Sequence, residues 1–155
     1  DLCAAVALGQ LERMDELVNV RCEAAKCFDE AVAGCEWLKA QKVLPGNVHS
    51  YWTYVVRLDT NKVGWHEFRD KFRELGGDGV YAAWKLAYQE PLFKEKAFLG
   101  RENLGIYDDY DYTKVSCPNA EYLQERVLQF KTNYFDIEDA KKQAEILKKT
   151  IAFFA

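Results

Sequence analysis

The chain has 155 residues, 49% of them apolar, which is enough for one well-buried core and little more. Charged residues make up 30% but leave a net charge of only -4, so neither a polyanion-binding surface nor a disordered acidic tail is indicated, and nucleic acid is not an expected partner. The five cysteines are odd in number and form no Cys-x-x-Cys pair, which excludes the usual disulfide and zinc frameworks and points to free thiols.

No apolar run approaches the roughly 20 residues that cross a bilayer, and no stretch has the make-up of a signal peptide. A cytoplasmic protein without a membrane partner is the expectation. The first residues, "DLCAAVALGQLERMDELV", already sit inside a helical pattern, so the chain reads as a piece of a longer protein. Leu11, Met14, Val18, Ala25, Phe28 and Val32 continue that pattern and predict one long amphipathic helix from near residue 2 to about Ala33, ended by Gly34. Such a length suits an element that bridges two packing environments. Cys22 and Cys27, five apart, fall about 140° apart around a helix, the wrong geometry for a shared metal, and read as small hydrophobes.

After Pro45-Gly46-Asn47, the segment Ser50 to Asp59 predicts a strand, with Trp52, Tyr54, Val56 and Leu58 alternating toward one face. Trp65, Phe68, Phe72 and Leu75 predict a helix that Gly76-Gly77 terminates. The glycines of "GGDGVYAAW" therefore follow a helix and precede a strand from Val80 to about Trp84. A phosphate cradle has the reverse order, strand before helix, so this loop reads as a helix cap and turn. "QEPLFKEKAFLG" predicts a short helix from Pro91 to Gly100, and Arg101 to Ser116 an exposed acidic loop in which Asp109 and Asp111 lack a third metal ligand. "CPNAEYLQERVLQF" predicts a helix with Ala120, Leu123, Val127 and Phe130 inward, "KTNYF" a short edge strand, and Asp136 the N-cap of a closing helix through Phe154. The fold class is α+β: a small antiparallel or mixed sheet with helices packed on one face.

A self-contained active site is not legible. Neither a Gly-x-Ser-x-Gly elbow nor a His-Glu-x-x-His pair occurs, the two histidines, His49 and His66, stand apart, and Cys117 has no activating neighbour. What stands out is a set of aromatics with polar tips: Tyr51, Trp52, Tyr54, Tyr81, Trp84 and Tyr88. Most are expected to pack the sheet. Tyr81 and Trp84, directly after the glycine turn, are the best candidates for a site rim.

Four ordered motifs then resemble the DegT/DnrJ/EryC1/StrS family of pyridoxal-phosphate-dependent sugar aminotransferases. "DLCAAVALGQLERMDELVNV" is similar to the segment after that family's cofactor domain, and "HSYWTYVVRL" to its first small-domain strand. "HEFRDKFRELGGDGVYAAWKLAYQEPLF" is similar to its helix, turn and substrate-side loop, and "CPNAEYLQERVLQF" to its Cys-Pro-Asn-Ala-Glu helix. The resemblance implies the small domain of a fold-type I transferase, with residues 1–35 a long helix leading from an N-terminal cofactor domain and 36–155 the C-terminal small domain. It implies that pyridoxal phosphate, its lysine and the other catalytic groups belong to the N-terminal domain, so this chain has no catalytic, cofactor-binding or metal-binding residue of its own and is inert alone. The implied substrate is a nucleotide-linked keto-sugar, the amino donor glutamate, the setting cell-surface polysaccharide synthesis and the partner a second copy in a homodimer. By motif position Tyr81, Trp84 and Tyr88 would approach substrate, with His49 as a fourth. Relatives carry a histidine-containing stretch where this chain has "AAWKLAYQEP", which leaves the sugar open. The alternatives are a non-catalytic α+β interaction module, or a dehydratase or regulator built on the same cofactor fold.

Overall fold

The computed structural model describes residues 1–96 and 109–155. Two helices, α1 (Leu2–Leu11) and α2 (Met14–Val32), lead into β1 (Leu38–Ala40) and β2 (Tyr54–Leu58). Then come α3 (Trp65–Glu74), β3 (Val80–Ala82), the short α4 (Pro91–Lys94), α5 (Pro118–Gln124), β4 (Val127–Phe130) and α6 (Ile137–Phe153). The strands form one antiparallel sheet in the order β1-β2-β4-β3.

Period two decides the inner face. Tyr54, Val56 and Leu58 of β2 are buried together with Leu128 and Phe130 of β4, and the register places Tyr54 opposite Phe130 and Val56 opposite Leu128. Phe28 of α2 stacks on both Tyr54, at 5.3 Å between centroids, and Phe130, at 5.6 Å. Phe68 and Phe72 of α3 meet Phe130 edge-on at 6.4 and 5.4 Å. One aromatic block thus joins two helices to the two central strands, the offset and edge-on geometry that aromatic pairs prefer. α6 lies along α2 across small residues, Ala24 and Ala25 facing Ala140 and Ala144 in the same core. Asp136 caps α6, accepting from the Glu138 N–H at 2.9 Å.

Four expectations are corrected. The long N-terminal helix is interrupted at Glu12 and Arg13, where Arg13 has φ -110° and ψ 11°. α1 buries nothing, so no packing holds the two segments on one axis. The helix expected over "CPNAEYLQERVLQF" ends at Gln124, and Val127–Phe130 is instead the strand paired on both sides. Here Val127, Leu128 and Phe130 follow their β propensity, because only an extended chain brings Phe130 beside Tyr54. "KTNYF" is then no strand, and β1 supplies an edge that alternation did not reveal. Trp52 does not join the inward row. Tyr51 has φ +46° and the chain bends through Trp52 and Thr53, leaving Trp52 71% exposed. Gly100 and half of the expected acidic loop, residues 101–108, lie outside the described residues.

The turn after α3 uses its glycines for two different reasons. Gly76 has φ +96°, which a side chain would strain. A Cβ at Gly77 would overlap the Phe72 ring and lie 2.6 Å from the Phe72 carbonyl oxygen, and Phe72 is held by Phe130. Gly77→Ala is expected to cost about 1–3 kcal/mol of stability in chemical denaturation, the usual penalty of overpacking. Gly79→Ala, with nothing within 4 Å of its Cβ, is expected to change stability by less than about 0.5 kcal/mol. Equal losses at both positions would contradict this account of the turn.

Candidate functional site

With α2, α3 and α6 on one side, the other face of the sheet carries the alternate residues. Tyr81 of β3, Gln129 of β4 and Val55 of β2 form one cross-strand row there. Past the end of β4 the alternation persists: Thr132 and Tyr134 are buried, whereas Lys131 and Asn133 point the other way. Gln129, Lys131 and Asn133 therefore share a side with Tyr81. Together with Arg21, Trp52, Thr53 and Trp84 they line a cleft of about 380 Å³.

Two walls of the cleft are set by unusual backbone. Tyr51, at φ +46°, directly precedes Trp52, and Ala83, at φ +48°, directly precedes Trp84. Non-glycine residues in this region cost on the order of 1–3 kcal/mol and persist only where neighbours enforce them. At the first, Thr132 donates to the Tyr51 carbonyl at 2.6 Å, and Arg21 donates to the Trp52 carbonyl at 3.0 Å and to Thr132 Oγ1 at 3.1 Å. His49 Nδ1 accepts from the Tyr51 N–H at 2.9 Å, and its ring packs on Tyr51 at 4.4 Å. At the second, the Trp84 ring turns to within 6.0 Å of Tyr81, and both remain more than half exposed, at 57% and 53%.

Asp78 holds Lys131 at the cleft edge. Its backbone N–H donates to Gln143 Oε1 at 2.9 Å, and its carboxylate accepts from the Tyr134 hydroxyl at 2.9 Å and lies 3.6 Å from Lys131 Nζ. Lys131 also sits 4.6 Å above the Tyr134 ring, so the cation is held at the cleft edge. The cleft thus combines three aromatic faces, two cations and several neutral hydrogen-bonding groups. That chemistry suits a flat ring joined to an anionic group.

Of the residues expected from sequence, Tyr81 and Trp84 meet in this cleft. Tyr88 does not line it: its hydroxyl donates to Glu121 Oε1 at 2.5 Å. Nor does His49, whose Nδ1 takes the Tyr51 N–H while Nε2 lies 3.0 Å from the Gln41 amide. Tyr54, in the same aromatic set, is buried and donates to Asp29 at 2.6 Å. Arg21, Gln129, Lys131 and Asn133 were not anticipated. Alternation from Leu128 to Tyr134 would have exposed the last three, while nothing local marks Arg21. Asp111, read with Asp109 as an acidic loop, accepts from the Thr113 N–H and hydroxyl and pairs with Lys114. These bonds, first that from Thr113, lower its pKa to about 2. A larger groove of about 550 Å³ between α2 and α6 is lined by Glu23, Lys26, Glu30 and Lys141 and offers no aromatic face.

The DegT/DnrJ/EryC1/StrS aminotransferase family model matches residues 1–143. The chain belongs to that family. It is 34% identical over 59 residues to a GDP-perosamine synthase of Vibrio cholerae, a match covering 38% of this chain and 16% of that protein. Among solved structures it is similar to the aminotransferase TlmJ of Streptoalloteichus hindustanus, with TM-score 0.68 and 22% identity, over 98% of this chain and 36% of that one. It is also similar to the pyridoxal-phosphate form of the putative sugar aminotransferase Spr1654 of Streptococcus pneumoniae, with TM-score 0.67 and 16% identity, over 96% of this chain and 34% of that one. The α+β fold shared with these structures accounts for nearly all of the present chain, which spans about a third of their length. No helix among the described residues is long and apolar enough to cross a membrane.

Burial pushes the Tyr134 phenol far above its ordinary range, and the adjacent Asp78 carboxylate adds to the effect. Tyr54 is raised in the same way by burial and Asp29. A phenol whose folded pKa is raised stabilises the fold fully below its unfolded value of about 10, and that stabilisation is lost as pH rises beyond it. In an alkaline ultraviolet titration, these two of the nine tyrosines are therefore expected to ionise only as the chain unfolds. Reversible titration of all nine near pH 10 in a folded protein would show the two hydroxyls to be unburied.

Proposed function

We propose that this chain is the C-terminal small-domain part of a pyridoxal-phosphate-dependent aminotransferase that acts on a nucleotide-linked keto-sugar, with glutamate as the amino donor. The family match over residues 1–143 carries the reading. On this view residues 1–35 lead from an N-terminal cofactor domain, and 36–155 form the domain that closes over the substrate. The parent works in the cytoplasm as a homodimer, in the assembly of surface polysaccharide.

Lys26 and Lys85 do not fit covalent attachment of the cofactor. A reactive lysine must lose its proton easily, which requires desolvation or a cationic neighbour. Lys26 is instead exposed and 2.7 Å from Glu23, whose hydrogen bond and charge raise its pKa. Lys85 is half exposed, 3.5 Å from Glu90. Pyridoxal phosphate, when bound to the parent, supplies the electron sink for amino transfer. The present chain contributes recognition: Trp52, Tyr81 and Trp84 offer faces to rings, and Arg21 and Lys131 offer charge to a diphosphate. Tyr88 and His49 act on recognition through the segments they hold, as partners of Glu121 and of the Tyr51 turn.

The longer protein that contains this chain is expected to take up pyridoxal phosphate with its characteristic visible absorbance, while residues 1–155 alone do not. Absence of uptake by a folded longer protein would sink the enzyme reading. In that protein Trp84→Ala is expected to weaken a nucleotide-sugar ligand about tenfold by calorimetry, the scale of one lost aromatic contact with its buried area. Unchanged affinity in both Trp84→Ala and Tyr81→Ala would move the substrate away from this cleft.

A further inference from the structure

The chain that leaves β3 toward α4 meets α5 at two points. Gln124 Nε2 donates to the Trp84 carbonyl at 2.8 Å, and Tyr88 Oη donates to Glu121 Oε1 at 2.5 Å. Glu121 and Gln124 are three apart on α5, so they share a face. Glu121 is itself fixed: its carboxylate accepts from the Cys117 N–H at 3.0 Å and from Ser116 Oγ at 3.2 Å. A carboxylate that takes a hydroxyl and a backbone N–H makes charge-assisted bonds, stronger than neutral ones. The second contact falls within a short 3₁₀ turn, with the Gln89 N–H donating to Leu86 O at 2.8 Å and the Glu90 N–H to Ala87 O at 3.1 Å.

The segment needs such a brace. Ala83 holds a left-handed backbone without being glycine, immediately before Trp84. Trp84 is largely exposed, and among the described residues its ring contact is with Tyr81 at 6.0 Å, so side-chain packing alone leaves it loosely placed.

We propose that Glu121 and Gln124 form a two-point latch that fixes the backbone from Trp84 to Tyr88 and thereby sets the Trp84 ring in the cleft. Glu121 is a positioning residue for ligand recognition, an assignment that rests on the cleft being the ligand-facing site. The latch gives the acid of "CPNAE" a role: it ties the start of α5 to a loop some thirty residues earlier, at Tyr88. The raised phenol of Tyr88 and the lowered carboxyl of Glu121, each shifted first by their shared hydrogen bond, accord with it.

The test is fluorine NMR of the full chain carrying 5-fluorotryptophan at its four tryptophans, with the Trp84 signal assigned by Trp84→Phe. Tyr88→Phe and Glu121→Ala are each expected to shift and broaden that signal and to speed exchange of the Gln89 and Glu90 amides roughly tenfold, the scale of one lost hydrogen bond. Trp37 and Trp65, which pack on the core, should keep their signals. Glu121→Gln retains an acceptor oxygen and should restore most of the Trp84 signal, and the double variant should go no further than either single one. An unmoved Trp84 signal in both single variants overturns the latch, as does a common change of all four signals, which would mean general loss of structure. Uridine diphosphate added to the unsubstituted chain separates the two readings. A Trp84 shift supports the nucleotide site, whereas no shift alongside the expected variant behaviour removes that site and leaves the latch standing.

Discussion

Phe28 lies between Tyr54 and Phe130, with stacking distances of 5.3 and 5.6 Å, and everything else in the molecule is arranged around that contact. It forces α2 onto the sheet at the point where β2 and β4 pair, and it requires residues 127–130 to be extended. Phe68 and Phe72 close the block from α3, and the tightness of that closure reappears at Gly77, where not even a methyl group fits against Phe72. The Tyr54 hydroxyl avoids an unpaired burial by donating to Asp29, the residue after Phe28 on α2.

Because α2, α3 and α6 occupy one side, the sheet has a second face available, and its chemistry follows from the register. Each residue that points into the block hands its neighbour to the open face, so Phe130 between Gln129 and Lys131 fixes the lateral position of both. The two left-handed residues at Tyr51 and Ala83 then turn Trp52 and Trp84 toward the same cleft. A rigid inner face and a contoured outer one are thus two results of one alternation. Under the proposed function this open face is the one turned toward substrate, and the chain matches about a third of the length of each solved relative.

The Cys-Pro-Asn-Ala-Glu motif shows how a pattern can be recognised long before its physical work is understood. Its proline takes the first turn of α5, where a missing N–H costs nothing. Its acid, four residues after the cysteine, reaches back to the Cys117 N–H and across to Tyr88, so a single carboxylate serves both a helix start and a distant loop. Tyr88, placed beside substrate by motif position, has its hydroxyl directed to that carboxylate, a partner 33 residues away that no local pattern could supply.

The sequence by itself determined whatever depends on near neighbours. The α+β class, the amphipathic runs of α2, α3 and α6, the glycine stop after α3, the Asp136 cap and the reading of "GGDG" as a turn all rest on spacings of a few residues, where periodicity and capping act directly. The order of four motifs also determined the family. Tertiary structure decided the rest. Ala120, Leu123, Val127 and Phe130 fit a helical period as well as a strand ending, and only Tyr54 and Phe28, distant in the chain, select the strand. Likewise Trp52 fits the inward alternation until Thr132 and Arg21 bend the chain ahead of Tyr54, and the cleft exists only where α2, β3 and the end of β4 converge. Contacts between residues thirty to a hundred apart have no signature in local sequence, because each partner is compatible with several local conformations and only their mutual packing chooses one.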